Sequence, residues 1–478
     1  MTRSFQMIRW ALLAVIVQTS LASAAEEKAR VFRAGAYAQD ITPTKLPVSV
    51  NGGFSDRIAK TVHDRLHARC LVLDDGTTKL AIVVCDSCMI PREIIDRARE
   101  LAEKATGIPA GNMLISATHT HTAPTVSGVF QSEPNSEYVE ELPGMIAAGI
   151  KKAHEARVPA RIGWGVGQEP NQVFNRRWFM KPNSIPADPF DGTTDRVKMN
   201  PGHLNPGLVK PAGPVDPEVS VLYVQSREGK PLAVLANYSL HYVGGVPALS
   251  ADYFGLFAER LKSLMKAEKS EFVGILSNGT SGDVNNVNFA KAAEKRQPGE
   301  QARLVADAVA RVTARVCGEI KLRDWVSLAA ANQEITLGVR LPSEKDIARA
   351  REILEQAKDK KVLTTSREVY ARETVLLAKY PAKVKVRLQA LRIGDLGIAA
   401  IPCEVFTEIG LEIKKKSPLK PSFTIELANG YNGYLPTPEQ HKLGGYETWR
   451  ARSSYLEVEA SMKITATILD LLKQVAKS

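Results

Sequence analysis

The stretch Met113-Leu114-Ile115-Ser116-Ala117-Thr118-His119-Thr120-His121-Thr122-Ala123-Pro124 sets an apolar run directly against two imidazoles spaced two residues apart. The run reads as a strand, and in an extended chain residues i and i+2 point to one face. His119 and His121 are therefore expected side by side at a strand end. Neutral imidazole is among the commonest zinc ligands and proton carriers near neutral pH, so the pair suggests metal-assisted chemistry. Two histidines that only cap a strand and bond to backbone are the competing reading, and a His-x-His alone does not separate the two.

Upstream, apolar residues over 68–73, the turn Asp74-Asp75-Gly76 and a second run over 79–84 have the spacing of a hairpin. Pro91 opens a helix with Ile94, Ile95, Ala98, Leu101 and Ala102 at helical spacing, closing near Gly107 and leading into the histidine strand. Downstream, a helix over 136–156 precedes a strand near 161–165. Residues 179–217 are rich in Pro, Asp, Asn and Gly without a period, which predicts a long irregular loop. Strand patterns return at 219–224, 232–240 and 272–276, with helices over 255–267 and 301–314. A charged helical hairpin is expected over about 343–380, laid on the outside with its charged face solvated. Strands at 384–393 and 398–401 and an amphipathic helix over about 457–475 complete the chain. Strands alternating with helices, with no repeat or linker, predict an α/β fold: a single large mixed-sheet domain with helices packed around it, a metal site at strand ends and a helical hairpin insertion.

A chain of 478 residues with 44% hydrophobic and 24% charged residues has the composition of a globular protein, which excludes fibrous and disordered classes. The net charge of +11 is scattered, with Lys414-Lys415-Lys416 its one run. No interleaving of Arg with aromatic residues accompanies it, which argues against nucleic acid and leaves peripheral contact with anionic membrane surfaces. Residues 1–24 read as a secretory signal: Arg3 and Arg9 form a positive region before an apolar stretch from Trp10 to Val17, and Ala22-Ser23-Ala24 forms a small-residue cleavage site. The apolar stretch falls short of the ~20 residues a spanning helix needs. The remaining 25–478 are expected as one exported domain, periplasmic or secreted. Five cysteines, Cys70, Cys85, Cys88, Cys317 and Cys403, are too few and odd in number for a disulfide scaffold. Cys85-Asp86-Ser87-Cys88 has redox or metal spacing but no second pair to complete a zinc site, so buried or locally bridged thiols are expected.

Four further segments set polar groups at strand ends or in tight turns. Asn237-Tyr238-Ser239-Leu240-His241 offers a further imidazole, either a ligand or a satisfied core histidine. The turn Ser277-Asn278-Gly279-Thr280-Ser281-Gly282-Asp283 can aim backbone N–H groups or an acid at a substrate, and it lacks the Gly-Lys-Ser/Thr ending of a phosphate loop. In Ile401-Pro402-Cys403-Glu404 a carboxylate follows a buried strand, where it is costly unless paired or bound to a cation. Tyr431-Asn432-Gly433-Tyr434 and Gly445-Tyr446-Glu447 supply tyrosines for hydrogen bonding, metal ligation or packing.

Together these segments resemble the neutral/alkaline non-lysosomal ceramidases, a family of exported zinc amidases, in their N-terminal catalytic domain. Ala34-Gly35-Ala36 with Asp40-Ile41-Thr42 is similar to the family's opening, His63-Asp64-Arg65-Leu66-His67-Ala68-Arg69 to its next block, and 116–124 to its most specific one. The resemblance implies one zinc ligated by His119, His241, Glu404 and Tyr434. It implies that His121 acts beside a zinc-activated water, that Arg176 and Tyr446 hold the amide oxygen, and that Asp283 belongs to the catalytic set. An N-acyl lipid such as an N-acylsphingosine is the implied substrate. An additional structural calcium or magnesium near Asp86 or Asp252 and the oligomeric state are left open.

Two departures bear on this. Where the family has a turn like Gly-Asp-Val-Ser-Pro-Asn with a functionally implicated serine, this chain has Gly282-Asp283-Val284-Asn285-Asn286. Asparagine cannot serve as that nucleophile, so metal-assisted hydrolysis is expected to survive while ceramide itself is in question. The family's immunoglobulin-like C-terminal module is not expected, since the chain ends after the helix over 457–475. A zinc hydrolase of esters, glycans or cell-wall amides, and a catalytically silent binding protein on the same fold, are the alternative readings.

Overall fold

Alternate side chains of the strands sort into separate cores. The computed structural model describes residues 30–246 and 248–478, so the signal sequence read over 1–24 lies outside the described residues. Eight strands form the main sheet: Arg33–Asp40 (β1), His67–Asp74 (β2), Lys79–Cys85 (β3), Met113–Ala117 (β4), Val158–Gln168 (β5), Glu218–Ser226 (β6), Pro231–Tyr238 (β7) and Val273–Asn278 (β8). Their order is β8-β7-β6-β5-β1-β2-β3-β4. The pairs β3–β4 and β7–β8 are parallel and the other neighbours antiparallel, which makes the sheet mixed.

Along β2, Cys70 and Val72 enter one hydrophobic cluster while Leu71 and Leu73 enter another, the period-two pattern of a strand buried on both faces. The inner cluster is shared with a second sheet of Leu328–Gly338 (β9), Lys383–Ile393 (β10), Leu396–Ile401 (β11) and Ser422–Glu426 (β12), of which β11 and β12 run parallel. Leu80 and Ile82 of the first sheet meet Leu391, Ile398 and Phe423 of the second in this layer.

Helices cover the two outer faces. Arg92–Thr106 (α1) and Ser136–Glu155 (α2) pack over one half of the main sheet through Ile95, Ala98, Leu142 and Ile146. Asp252–Leu264 (α3) and Glu300–Glu319 (α4) cover the other half through Phe257, Leu261, Val305 and Val309. Gly163 and Gly167 on β5 let α4 lie directly on the sheet, because a Cβ at either would meet Ile320 or Val312 within 2.5 Å. The second sheet is covered by Thr407–Lys416 (α7) and Ala460–Lys477 (α8), with Ile409, Ile464, Ile468 and Leu472 in its core. No described helix is long and apolar enough to cross a membrane.

Three expectations are corrected. The stretch over 179–217 is not wholly irregular: Arg177–Met180, Val197–Met199 and Leu208–Pro211 form a three-stranded sheet. These strands find partners many residues away, which local pattern does not reveal. The hairpin of Glu344–Gln356 (α5) and Ser366–Leu377 (α6), each with a capping box, is solvated on one side but not merely an outer decoration. Val369 and Tyr370 of α6 enter an aromatic cluster with Phe54, Phe130, Tyr446 and Trp449. Finally, all five cysteines are buried and free, so the bridged alternative does not hold.

Candidate functional site

Parallel strand pairs deliver their carboxyl ends to one region. There β4 runs on to His119 and His121, β7 to His241, β8 to the turn before Asp283, β11 to Glu404 and β12 to Glu426. Groups at carboxyl ends of parallel strands face a common crevice, the usual place of ligand sites in α/β folds. A two-residue parallel pairing of Glu404–Val405 with Tyr434–Leu435 then sets Glu404 beside Tyr434. The histidines do not share a face in the way an extended chain requires. The strand stops at Ala117, and His119 adopts a left-handed φ of 70°. The backbone thus turns within the motif, and the two rings converge edge to face with centroids 4.6 Å apart.

Nε2 of His119 lies 3.2 Å from Nε2 of His241, 3.1 Å from Nε2 of His121 and 3.3 Å from Oε2 of Glu404. Nδ1 of His119 is 2.7 Å from the Cys88 carbonyl, and Nδ1 of His241 is 3.1 Å from the Ser281 carbonyl. A carbonyl only accepts, so both Nδ1 atoms carry the proton and donate. In neutral rings both Nε2 atoms then point lone pairs at one another. A single proton on Nε2 of His119 could serve only one of its three neighbours, and Oε2 of Glu404 has no hydrogen-bond partner although buried. The donor atoms of His119, His241 and Glu404 lie within 4.8 Å of one another, and two imidazole nitrogens with a carboxylate oxygen satisfy each other around a cation, so this donor set fits a divalent metal.

The electrostatics follow from burial and proximity. For His121, burial first, then His119, Arg57 and Arg176, hold the ring well below the ordinary histidine range, so it is neutral. Burial, Arg176 and His119 do the same to His241. Burial opposes the charge of Glu404, but His119, Tyr434 and Arg176 outweigh it and keep the group a carboxylate. Glu426, fully buried, is pushed up to about 8 by desolvation, although Ser281 Oγ donates to it at 2.5 Å and the Val405 N–H at 2.6 Å. It braces the Ser281 turn whose carbonyl orients His241.

Among the other residues singled out from sequence, Tyr434 and Tyr446 face the same cavity as His119, His121 and Glu404. Arg176 stands one step behind: it donates to Tyr434 Oη at 3.1 Å, the Gly282 carbonyl at 2.9 Å and Glu447 Oε1 at 3.0 Å. Asp283 is not brought to the cluster. One of its oxygens accepts from Thr407 N and Oγ1, the other from Asn175, so it clamps the turn. Asn285 lies in a short strand paired with Phe174–Asn175, and its amide donates to Asn200 rather than into the cavity. Neither Asp86 nor Asp252 gathers a second metal-like set among the described residues. Asp86 is paired with Arg69 at 2.6 Å, and Asp252 accepts from the backbone of Val243, Gly244 and Tyr253.

Sequence reasoning missed four contributors. Tyr431 donates to Glu404 Oε1 at 3.1 Å, Tyr242 stacks on His121 with centroids 3.5 Å apart, the Cys88 carbonyl orients His119, and Glu447 holds both Arg176 and Arg177. Tyr242 directly follows His241, and Tyr431 and Glu447 sit in segments already recognised as polar strand ends, so adjacency was the available signal.

Gly52 leans on His121 at a φ of 106°, and a Cβ there would fall 2.3 Å from the imidazole. Gly52→Ala therefore displaces that ring while leaving His119, His241 and Glu404 in place. Activity is expected to fall by roughly 10²-fold or more, as for a misplaced acid–base group, with metal content unchanged. Parallel turnover and metal analysis would show it; loss of metal together with activity would mean that the glycine supports the whole cluster. The cavity beneath is narrow, about 30 Å³ in volume.

Residues 32–316 match the family model described as neutral/alkaline non-lysosomal ceramidase, N-terminal. Neutral ceramidase A of Dictyostelium discoideum is 25% identical over 223 residues, a stretch covering 44% of this chain and 28% of that protein, so the chain spans less than a third of this curated relative. Among solved structures, neutral ceramidase from Pseudomonas aeruginosa superposes with a TM-score of 0.70 at 17% identity, over 94% of this chain and 74% of that one. A ceramidase complexed with C2 gives the same TM-score at 16% identity, over 94% and 76%. With the family's sequence signature running through more than half the chain and its fold through nearly all of it, this chain belongs to the neutral/alkaline non-lysosomal ceramidases.

Proposed function

We propose that this chain is an exported zinc-dependent amidohydrolase that cleaves the amide bond of an N-acyl lipid, N-acylsphingosine or a related compound. The observation that carries the reading is the cluster of His119, His241 and Glu404, whose donor atoms lie within 4.8 Å of one another, with His119 and Glu404 lining the cavity beside His121. Two histidines, a carboxylate and a tyrosine make a set of nitrogen and oxygen donors suited to zinc, here His119, His241, Glu404 and Tyr434. Zinc held by these residues would supply the acidification of a water, from a pKa of ~16 to ~7, and the polarisation of a carbonyl. Export is supported by the basic, apolar and small-residue pattern of 1–24.

The chain's own residues divide the remaining work. His121, kept neutral, offers Nε2 to take the proton of the attacking water and return it to the departing nitrogen. Tyr242, stacked on its face, fixes the ring plane. Tyr446 faces the cavity and donates to the carbonyl oxygen as that oxygen gains charge. Arg176 acts through others: it orients Tyr434 and balances the acidic cluster, and is a positioning residue.

Because burial and neighbouring cations depress His121, its protonation in the folded enzyme lies below the ordinary value of 6.5. The base form therefore persists as pH falls through 6.5, and the acid limb of kcat/KM is expected below that value. His121→Ala should lower kcat by about 10²- to 10⁴-fold and abolish this limb. A pH–rate profile checks both; an unchanged limb in the variant would assign it to another group.

The direct test of the reaction is a panel of fluorescent ceramide, shorter N-acyl amides and matched O-acyl esters, scored for released fatty acid and amine. Cleavage of N-acyl substrates is expected. Cleavage of esters alone would replace the amide reading with an esterase.

A further inference from the structure

The three-stranded sheet of Arg177–Met180, Val197–Met199 and Leu208–Pro211 commits the acids around it and leaves its cations free. The connection between its first two strands carries Asp188, Asp191 and Asp195. Asp188 accepts from the N–H groups of Phe190 and Gly192, Asp191 pairs with Arg349 of α5, and Asp195 accepts from Trp449 Nε1 at 2.8 Å. Arg196 and Lys210 instead flank Phe179, with their charged ends 6.0 and 5.5 Å from the centre of its half-buried ring. Lys291 stands close by, because its carbonyl accepts from His203 Nδ1 at 2.9 Å while the Phe289 carbonyl accepts from the Leu204 N–H at 2.9 Å. Arg196, Lys210 and Lys291 are exposed, and among the described residues none of the three has a carboxylate within 4.0 Å.

Apolar tips accompany these charges. Leu208 pairs with Met180 and Lys210 with Phe179, which leaves Val209 as a bulged residue with no partner of its own. A bulge re-aims the side chain it carries, and Val209 is 57% exposed. Leu204, in the connection from the second strand to the third, is 59% exposed. Single exposed apolar residues are ordinary, but each of these two is set beside a free cation: Lys210 follows Val209, and the turn of Leu204 is bonded to the turn of Lys291. A soluble polyanion would use the cations and leave the apolar tips in water. A bilayer uses both, since apolar side chains enter the boundary between headgroups and acyl chains while Lys and Arg meet lipid phosphates.

We propose that this sheet is a membrane-docking face that holds the protein on a bilayer containing anionic phospholipid, with Leu204 and Val209 in the headgroup boundary and Arg196, Lys210 and Lys291 on lipid phosphates. The inference goes beyond the amidohydrolase reading, to which it adds a means of standing where N-acyl lipids are concentrated. Its binding is measured without turnover.

The test is co-sedimentation of the purified chain with vesicles of phosphatidylcholine alone and of phosphatidylcholine with phosphatidylglycerol in equal parts. Wild type is expected to bind the mixed vesicles at least about tenfold more tightly at low salt, with the difference shrinking as salt rises. K210E/K291E should fall to the level of phosphatidylcholine alone. K379E/K383E, the same charge change at exposed lysines at the end of α6 and the start of β10, should bind like wild type. L204S/V209S keeps every charge, and it should lose about tenfold on mixed vesicles while binding heparin as wild type does. Melting midpoints identify the folded variants, and either pair tests the face if the other does not fold. Equal binding of wild type to the two vesicles, or vesicle binding untouched by K210E/K291E, would overturn the inference. So would vesicle binding that L204S/V209S leaves intact, which would make the patch a site for soluble polyanions. None of these results bears on amide hydrolysis, which the substrate panel above reads separately.

Discussion

His119→Ala and His241→Ala should each lose the bound metal and lower kcat/KM for amide hydrolysis by at least about 10³-fold. Each ring is buried, and each has its Nδ1 proton fixed by a carbonyl, so Nε2 is presented as a lone pair with no adjustable alternative. Alanine removes one of a small donor set and leaves Oε2 of Glu404, already without a hydrogen-bond partner, still less compensated. The two variants should behave alike although their residues are 122 positions apart in sequence and come from different strands. Elemental analysis and turnover on the same samples make the comparison. Retained metal in either variant, with activity within tenfold of wild type, would remove that histidine from the ligand set.

The second large effect concerns stability as much as rate. Glu447 is fully buried and accepts from Arg176 Nε at 3.0 Å and from Arg177 Nη1 at 2.6 Å. Glu447→Ala leaves two guanidinium groups in the interior with their shared counter-ion gone. Breaking a buried pair in this way costs roughly 3–5 kcal/mol, far more than the pair contributes over a well-packed apolar replacement. Arg176 also supports Tyr434, so lost activity should accompany the lower denaturation midpoint. Glu447→Gln, which keeps an acceptor and the shape, should recover part of both. Chemical denaturation followed at constant m-value measures the first effect and initial rates the second; a midpoint unchanged in Glu447→Ala would show that the arginines find other partners.

The sequence made the framework legible where burial imposes a period. The runs over 68–73 and 79–84 became β2 and β3, and the helix opened by Pro91 became α1 with Gly107 as its left-handed cap. The strands within 179–217 were not legible, because their pairing depends on partners brought together by tertiary structure. The site was legible in part for the same reason. His119, His241, Glu404 and Tyr434 each follow an apolar run or a tight turn, so polarity at a strand end marked them; the structure brings the donor atoms of His119, His241 and Glu404 within 4.8 Å of one another and sets Tyr434 beside Glu404. Asp283 carried the same mark, yet its oxygens are spent on Thr407 and Asn175, and only the three-dimensional bonding distinguishes such a clamp from a residue of the cavity. The role of the helical hairpin was hidden because Tyr370 reads as one aromatic on a charged helix, whereas the fold presses it against Phe54, Phe130 and Trp449.

The central claim is a metal-assisted amide hydrolysis at the histidine cluster, and zinc stoichiometry tied to turnover tests it most directly. Wild-type protein purified without added metal, then offered zinc and freed of excess, is expected to hold one zinc per chain. N-acyl amide hydrolysis should disappear on chelation and return when zinc is restored. A chain that holds no zinc after it is offered, or that hydrolyses the amide equally well in chelator, would contradict the account.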